Sequence, residues 1–486
     1  MNIYLINNDF YYETEKLAKV FFPNEKFFEL HEEPASECSD RIVIRLDKNG
    51  DTTSVFAELC TGDFCETRSR TAEEGEDSEL AAADLLYDML VKMTGVSQPW
   101  GLLTGVRPIK LFRRLKETMG EEETKAHFEN VFHVSHEKTE LTSETERAEA
   151  QILASTTKES FSLYISVPFC PTRCSYCSFV SASTARTKHL IEPYTELLCR
   201  ELEKTAEIVK ANGLKLDSVY MGGGTPTTLS ADQMARVLST VTCSFDMSTC
   251  REFTVEAGRP DTVTEEKLRA IRSCGIDRIS INPQTLSDIV LEEIGRKHTT
   301  QDFYNAYELA RKTGFGNINT DVIAGLPADT LDSFKNTMDT LVYKLAPESV
   351  TVHTLAMKRA STLTQDGKML DKEEAELAMD MVAYSSRVLH DSGYKPYYLY
   401  RQSRMVGNLE NTGWSKPGKE CLYNVFIMDE SQSVIACGAG AVTKIVTGSG
   451  KLERIFNYKY PYEYINSFDE VLKRKEGIVT LYDQLR

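Results

Sequence analysis

The chain is short of positive charge. Its 486 residues carry 56 Lys and Arg against 73 Asp and Glu, a formal net charge of −17. Neutralising a phosphate backbone takes clustered cations, so a broad nucleic-acid-binding surface is excluded. Long apolar runs are missing as well. None approaches the roughly 20 residues of a membrane-spanning helix. The N-terminus, from Met1 to Asp9, has no basic stretch and carries an early acid, which reads as a cytoplasmic chain without a secretory signal. Internal repeats and low-complexity tracts are absent, which excludes a repeat array. Tryptophan is scarce, with two residues, but cysteine is not, with 12. In a cytoplasmic chain these read as free thiols plus a metal site rather than a disulfide framework.

Three of the cysteines stand close together. Cys170, Cys174 and Cys177 are spaced C-x3-C-x2-C. Soft thiolates at that spacing can hold three irons of a 4Fe–4S cube. Ferredoxin-type sites take four cysteines, and the next here is Cys199, so one iron would stay open to bind a small molecule and pass it an electron. Such a cube is oxygen-sensitive, which points to anaerobic conditions. Spacing alone leaves two alternatives open: a zinc knuckle, which more often adds a second cysteine pair far along the chain, and chance clustering.

A chain of this length needs more than one core. Residues 1–150 mix short strand-like runs with helices and acidic stretches such as Glu73-Glu74-Gly75-Glu76-Asp77, and are expected to form an α+β domain. Residues 151–360 hold six short apolar runs, at 161–167, 216–221, 252–256, 277–281, 317–323 and 349–352. Helical patterns lie between them, at 231–240, 265–273, 302–313 and 331–344. Strands alternating with helices of this length predict βαβ units and a parallel sheet, curled into a barrel or part-barrel. Residues 361–486 open with an acidic helix over 372–390 and continue into a Tyr- and Gly-rich region.

In parallel barrels the chemistry sits at the C-terminal strand ends. The cysteines follow the first run, and Gly222-Gly223-Gly224-Thr225-Pro226-Thr227 follows the second. Glu256 closes the third run, Asn282-Pro283-Gln284 the fourth, and His353 the sixth, while Asp321 lies near the end of the fifth. Glycines let a backbone approach a ligand, though a plain strand-to-helix turn needs them too. Glu256 suits an amino group or a ribose hydroxyl, or is a surface acid. A buried Asp321 needs a partner or a ligand. Arg296 could clamp a carboxylate or end a helix. His298 and His353 read as core histidines satisfied by hydrogen bonds. The run Cys437-Gly438-Ala439-Gly440-Ala441 could wrap a ligand or make a tight turn.

The cysteine motif, with Tyr176 before its last member, resembles the radical S-adenosylmethionine (SAM) superfamily. Tyr164 with Pro168-Phe169-Cys170, the glycine-rich run at 222–227, the segment 278–284 and the run from Asp321 to Gly325-Leu326-Pro327 resemble its coproporphyrinogen dehydrogenase (HemN/HemW-like) branch. Segments 100–110, 353–359 and 407–411 through 438–441 resemble the HemZ subgroup.

The resemblance implies a partial (β/α)6 radical SAM barrel with an N-terminal α+β domain and a C-terminal α+β extension on the substrate side. It implies a 4Fe–4S cluster on Cys170, Cys174 and Cys177, with SAM on the open iron. Tyr164, Tyr176, Gly223, Gly224, Thr225, Glu256, Gln284, Arg296, Asp321 and Ala356 would line the pocket for one or two SAM molecules. Cleavage of SAM to a 5′-deoxyadenosyl radical would start the oxidative decarboxylation of two propionates of coproporphyrinogen III to vinyl groups, giving protoporphyrinogen IX in haem biosynthesis. The implied partners are this tetrapyrrole and a small electron donor such as flavodoxin or ferredoxin. Basic groups at Arg107, Lys110 and Arg113, or at Arg401 and Arg404, are expected to meet the substrate's carboxylates. A haem chaperone like HemW and a radical SAM methyltransferase that opens haem are the alternatives. The chain departs from the family pattern at Ser166, where relatives carry His, and at Tyr423-Asn424-Val425-Phe426, where only Asn424 matches.

Overall fold

The computed structural model describes residues 1–35, 40–72, 75–105, 107–369, 371–447 and 451–483, with side chains described to 480. Glu73 and Glu74 of the acidic stretch lie outside the described residues, as does Val106. The chain divides into two compact units, the first built from Met1–Ser143, Met369–Glu376 and Arg401–Leu409, the second from the rest.

In the first unit, strand Asn2–Ile6 lies between Phe28–Leu30 and Arg41–Asn49, parallel to both. Antiparallel strands Thr52–Thr61 and Phe64–Ala72 continue the sheet. Period-2 alternation sends Val55, Ala57 and Leu59 inward. They meet Leu85, Leu86, Met89 and Leu90 of helix Ser78–Thr94. Each such side chain contributes about 1.5–3 kcal/mol when fully buried. Asp77 caps this helix by accepting from the Glu79 and Leu80 N–H groups, and Gly95 ends it at φ 69°.

One expectation is corrected here: Cys60 and Cys65 form a disulfide. They face each other across the two strands, just behind the turn at Gly62-Asp63, so the hairpin itself juxtaposes them. Among the described residues the other nine cysteines are free thiols.

The second unit carries the six expected strands, Ser160–Val167, Lys215–Gly223, Glu252–Glu256, Arg278–Ser280, Asn317–Ala324 and Ser349–Thr354. They run parallel and side by side in chain order, the arrangement of a singly wound α/β part-barrel. Helices Ala231–Ser244, Glu265–Ser273, Thr300–Lys312 and Leu331–Asp339 occupy the crossovers, three of them started by Ser or Thr capping boxes.

The C-terminal third extends this sheet at both edges. Asn411–Ser415 pairs antiparallel with the sixth strand, followed by Lys395–Tyr400. On the other edge Ser433–Cys437 lies parallel to the first strand, followed by Val442–Val446 and Leu452–Phe456. The turn after Cys437 proves structural. A Cβ on Gly438, at φ +99°, would lie 2.5 Å from the Ser166 carbonyl oxygen and the Tyr194 hydroxyl. Glu201 anchors the turn from the long helix Thr184–Ala211. It accepts from Gly438 N–H, Asn457 and Tyr464 and pairs with buried Lys475 at 2.9 Å. Removing one partner would strand a buried charge, which costs about 3–5 kcal/mol. No described helix is long and apolar enough to cross a membrane.

Candidate active site

The C-terminal ends of the six strands gather the polar residues read from the sequence. The cysteine loop leaves the first strand, and Phe169–Cys170 forms a short strand against Ala182–Ser183. The loop is pinned by Ser175 N–H on the Ile294 carbonyl at 3.1 Å and by Arg173 on the Ala360 carbonyl at 2.7 Å. Cys174 is buried, while Cys170 and Cys177 are partly open. Burial pushes the Cys177 thiol up to about 11, and the neighbouring Cys174 and Cys170 add to the rise. A metal must therefore displace that proton to bind.

The donor set fits an iron–sulfur cube. A zinc ion, about 2.3 Å from each sulfur, would draw its ligand atoms within about 4 Å of one another. The groups of ligand atoms that do gather within 4.8 Å among the described residues are Glu58 with Cys60 and Cys65, whose sulfurs are tied in the disulfide, and Asp84 with Asp88 and His133. No such group among the described residues includes all three cysteines of the loop.

The glycine run packs on this loop. Gly224 donates to the Val167 carbonyl at 2.8 Å, and a Cβ on it would sit 2.6 Å from the Phe169 carbonyl oxygen. Thr225 donates to Cys170 Sγ at 3.5 Å. A Cβ on Gly222 would approach the Glu256 carboxylate to 3.0 Å, so the run keeps Glu256 accessible. Tyr220 donates to Glu256 Oε1 at 2.6 Å. Burial pushes the Glu256 carboxyl up to about 7, against the Tyr220 hydrogen bond and with help from Asp321.

Asp321 accepts from Asn282 and Asn319, each at 2.8 Å, and faces His353 Nε2 at 3.7 Å. Burial works to raise its carboxyl, yet His353 and Asn319 hold it below the usual range. The same pairing holds His353 above its usual range against burial, and Asn411 takes up its Nδ1. Gln284, at φ 67°, bonds through its backbone to the fifth strand. Arg296 gives Nη1 to the carbonyls of Asn282 and Gly258 and also reaches Tyr176 and Cys174. Ala356 lies just past the sixth strand, its carbonyl taken by Lys358 N–H. Tyr164 stacks with Tyr220 and Tyr423, ring centroids 4.6–6.4 Å apart.

Two residues expected at the SAM pocket carry a buried polar atom with no partner, Gln284 Oε1 and Arg296 Nε. Such atoms cost free energy unless a ligand meets them. His298 departs from its expectation. It is buried, but both ring nitrogens lack partners, and burial beside Arg296 and Arg259 drives it down to about 4.

Sequence reading missed Arg259, Tyr220 and Tyr423. Arg259 is 3% exposed, donates to Thr172 Oγ1 at 3.1 Å and reaches Cys174 Sγ at 3.9 Å. Its position three residues past Glu256, at a barrel strand end, was the available signal. Arg401 is corrected: buried within the first unit, it donates to the carbonyls of Leu103, Gly105 and Asn408 and is not a free cation for substrate. Of the other basic group, Lys110 is exposed on helix Pro108–Met119, while Arg113 on that helix and Arg107 just before it are half-buried.

The model of the radical SAM superfamily matches residues 164–341. The oxygen-independent coproporphyrinogen-III oxidase-like protein HemZ of Bacillus subtilis (strain 168) is 40% identical over 406 residues, covering 80% of each chain. The haem chaperone HemW of Lactococcus lactis subsp. lactis (strain IL1403) is 32% identical over 289 residues, 58% of this chain and 68% of its own. Among solved structures, the radical SAM coproporphyrinogen III oxidase HemN of Escherichia coli matches with a TM-score of 0.51 and 22% identity, over 67% of this chain and 73% of its own. That likeness supports the part-barrel. Membership in this superfamily carries a 4Fe–4S cluster and SAM as cofactors. With its three-cysteine loop, its six-stranded part-barrel and a relative aligned over four-fifths of both chains, this protein belongs to the radical SAM superfamily, in the branch of the oxygen-independent coproporphyrinogen-III oxidase-like proteins.

Proposed function

We propose that this protein decarboxylates two propionate side chains of coproporphyrinogen III without oxygen, giving the vinyl groups of protoporphyrinogen IX in the cytoplasm. The observation that carries this reading is the alignment with the HemZ oxidase-like relative across 80% of both chains, together with polar strand ends on one face of the barrel. For each vinyl group formed, a hydrogen atom leaves the propionate, the bond to the carboxylate breaks to release carbon dioxide, and one electron passes to an acceptor.

When bound, the cluster and SAM supply the one-electron chemistry that makes a hydrogen-abstracting organic radical. Cys170, Cys174 and Cys177 hold three irons. Glu256, ionised, meets the SAM amino group, and Tyr220 orients that carboxylate. Asp321, kept ionised by His353, accepts from SAM hydroxyls, while Arg296 Nε and Gln284 Oε1 find their missing partners on the same ligand. Tyr164, Tyr176, Gly223, Gly224, Thr225 and Ala356 complete the pocket, with room for one or two SAM molecules. The stack of Tyr164, Tyr220 and Tyr423 excludes water from it. The electron donor is a small protein such as flavodoxin or ferredoxin.

The test is an anaerobic incubation of the reconstituted protein with coproporphyrinogen III, SAM and a reductant, read by product mass. Loss of two carbon dioxide molecules supports the reading. Haem binding without a vinyl product would replace it with the chaperone role that the HemW relative's name carries. A methylated linear tetrapyrrole formed from haem would make the protein a haem-opening methyltransferase.

A further inference from the structure

An aromatic and basic surface stands directly beside the cysteine loop, and the chemistry described so far does not use it. Phe179, two residues past Cys177, is 68% exposed. Tyr462 is 51% and Tyr460 40% exposed, and their rings stack with centroids 5.7 Å apart. Lys459 lies over the Tyr460 ring at 5.7 Å. Tyr460 and Tyr462 line a shallow cavity of about 410 Å³ together with Arg186 and residues 181–183. Large exposed rings scattered singly need no explanation, but a group of them at one place marks an interaction site.

The cavity wall is part of the cluster loop. Ser183 is the register partner of Cys170 in the short parallel pair, and Ala182 N–H donates to the Pro168 carbonyl at 2.8 Å. The Ser183 backbone that lines the cavity stands one interstrand spacing, about 4.8 Å, from that of Cys170. Arg186 lines it, and Lys188 and Lys459, each next in the chain to a lining residue, are exposed like it. The neighbouring carboxylates are already engaged. Glu192 pairs with Arg236 and accepts from Gln233, and Glu463 accepts from the Tyr460 N–H. Glu192 is neutralised by Arg236, and the three cations outnumber Glu463, so the patch is locally positive on a chain of net charge −17. A negative chain repels an acidic partner everywhere except at such a patch, which selects both its approach and its register.

We propose that Phe179, Arg186, Lys188, Lys459, Tyr460 and Tyr462 form the docking site of a small acidic one-electron donor protein that reduces the cluster. The proposal rests on the assignment of the cluster to Cys170, Cys174 and Cys177. One electron passes from the reduced donor to the cluster, and no other group is transferred. The aromatic rings supply the dry centre of the contact and the three cations its charged rim.

The experiment compares two reductants on the reconstituted full-length protein, with SAM cleavage as the readout. Dithionite needs no docking site, whereas reduced flavodoxin or ferredoxin does. Replacing Arg186, Lys188 and Lys459 together by Glu should lower kcat/KM for the donor protein at least tenfold and leave the dithionite rate unchanged. Arg186→Lys should keep the donor rate within about twofold, and Tyr462→Ala should lower it without added charge. Raising ionic strength should slow the donor-driven reaction of the natural protein far more than that of the triple variant. Equal donor kinetics in the natural and triple-variant proteins would overturn the proposal, as would no reduction by either donor in a protein that dithionite activates. Absence of SAM cleavage with dithionite in the natural protein would instead overturn the cluster assignment.

Discussion

The Tyr220 hydroxyl donates to Glu256 Oε1 at 2.6 Å, fixing a carboxylate whose pKa burial has pushed up to about 7. An acid raised above its unfolded value of about 4.3 imposes no penalty on folding when protonated in both states and the full penalty once ionised in both. The native state thus loses stability as pH rises from about 4.3 through 7. Glu256→Gln should melt above the natural protein at pH 8, with the difference closing as pH falls below about 5. The same variant should bind SAM roughly tenfold to a hundredfold more weakly at pH 8, for loss of a charged hydrogen bond of about 1.5–3 kcal/mol. Melting curves and SAM titrations at both pH values check this. A variant less stable at both would make Glu256 a structural residue.

Asp321→Asn should also weaken SAM binding by about tenfold while leaving iron content intact, since it removes the charge and one of the two oxygens that accept from Asn282 and Asn319. It should also lower the pH at which His353 loses its proton, because Asp321 is what holds that proton against burial. Proton-resolved NMR of the histidines follows this without any cofactor.

Replacing Cys170, Cys174 or Cys177 by Ala should abolish the visible absorption of the reconstituted cluster. The same change at Cys199, Cys421 or Cys437 should not. Cys421 donates to Glu252 on the third strand, and Cys437 lies against Thr205, both away from the loop. A full complement of iron and sulfide in any of the first three variants would remove that residue from the ligand set.

Arg259 brings a buried positive charge to 3.9 Å from Cys174 Sγ. Adding an electron to the cluster is favoured by that charge, so Arg259→Gln should lower the reduction potential. A tenfold change in the reduced-to-oxidised ratio corresponds to about 59 mV for one electron. Spectroscopic redox titration reads the shift, and an unchanged potential would leave Arg259 with only its bonds to Thr172 and Asp261.

In the first unit, the Arg401 guanidinium lies 5.1 Å over the Trp100 ring and donates to the Leu103 carbonyl. Arg401→Lys keeps the charge but not the planar fork, so about 1–3 kcal/mol of stability should be lost as buried carbonyls go unmet. Unfolding followed by tryptophan fluorescence measures it, and the iron content of the folded protein should not change.

The sequence by itself determined the six strands and the polar residues at their ends, and it carries the cysteine spacing on which the cluster proposal rests. These are short-range properties: a C-x3-C-x2-C spacing is carried by eight residues, and strand and helix periods show within a dozen. The central part of the barrel was legible for that reason, from 161–167 through 349–352. The tertiary structure decided the rest, because contacts across hundreds of residues leave no local period. Ser166 donates to the Ala439 carbonyl 273 positions away, in a turn where Gly438 leaves no room for a Cβ. The two segments holding Trp100 and Arg401 come together in one unit, which turns an expected substrate cation into a buried strut. The charge state of Glu256 was equally hidden, since a carboxyl's pKa is set by burial and neighbours that exist only after the strands close around it.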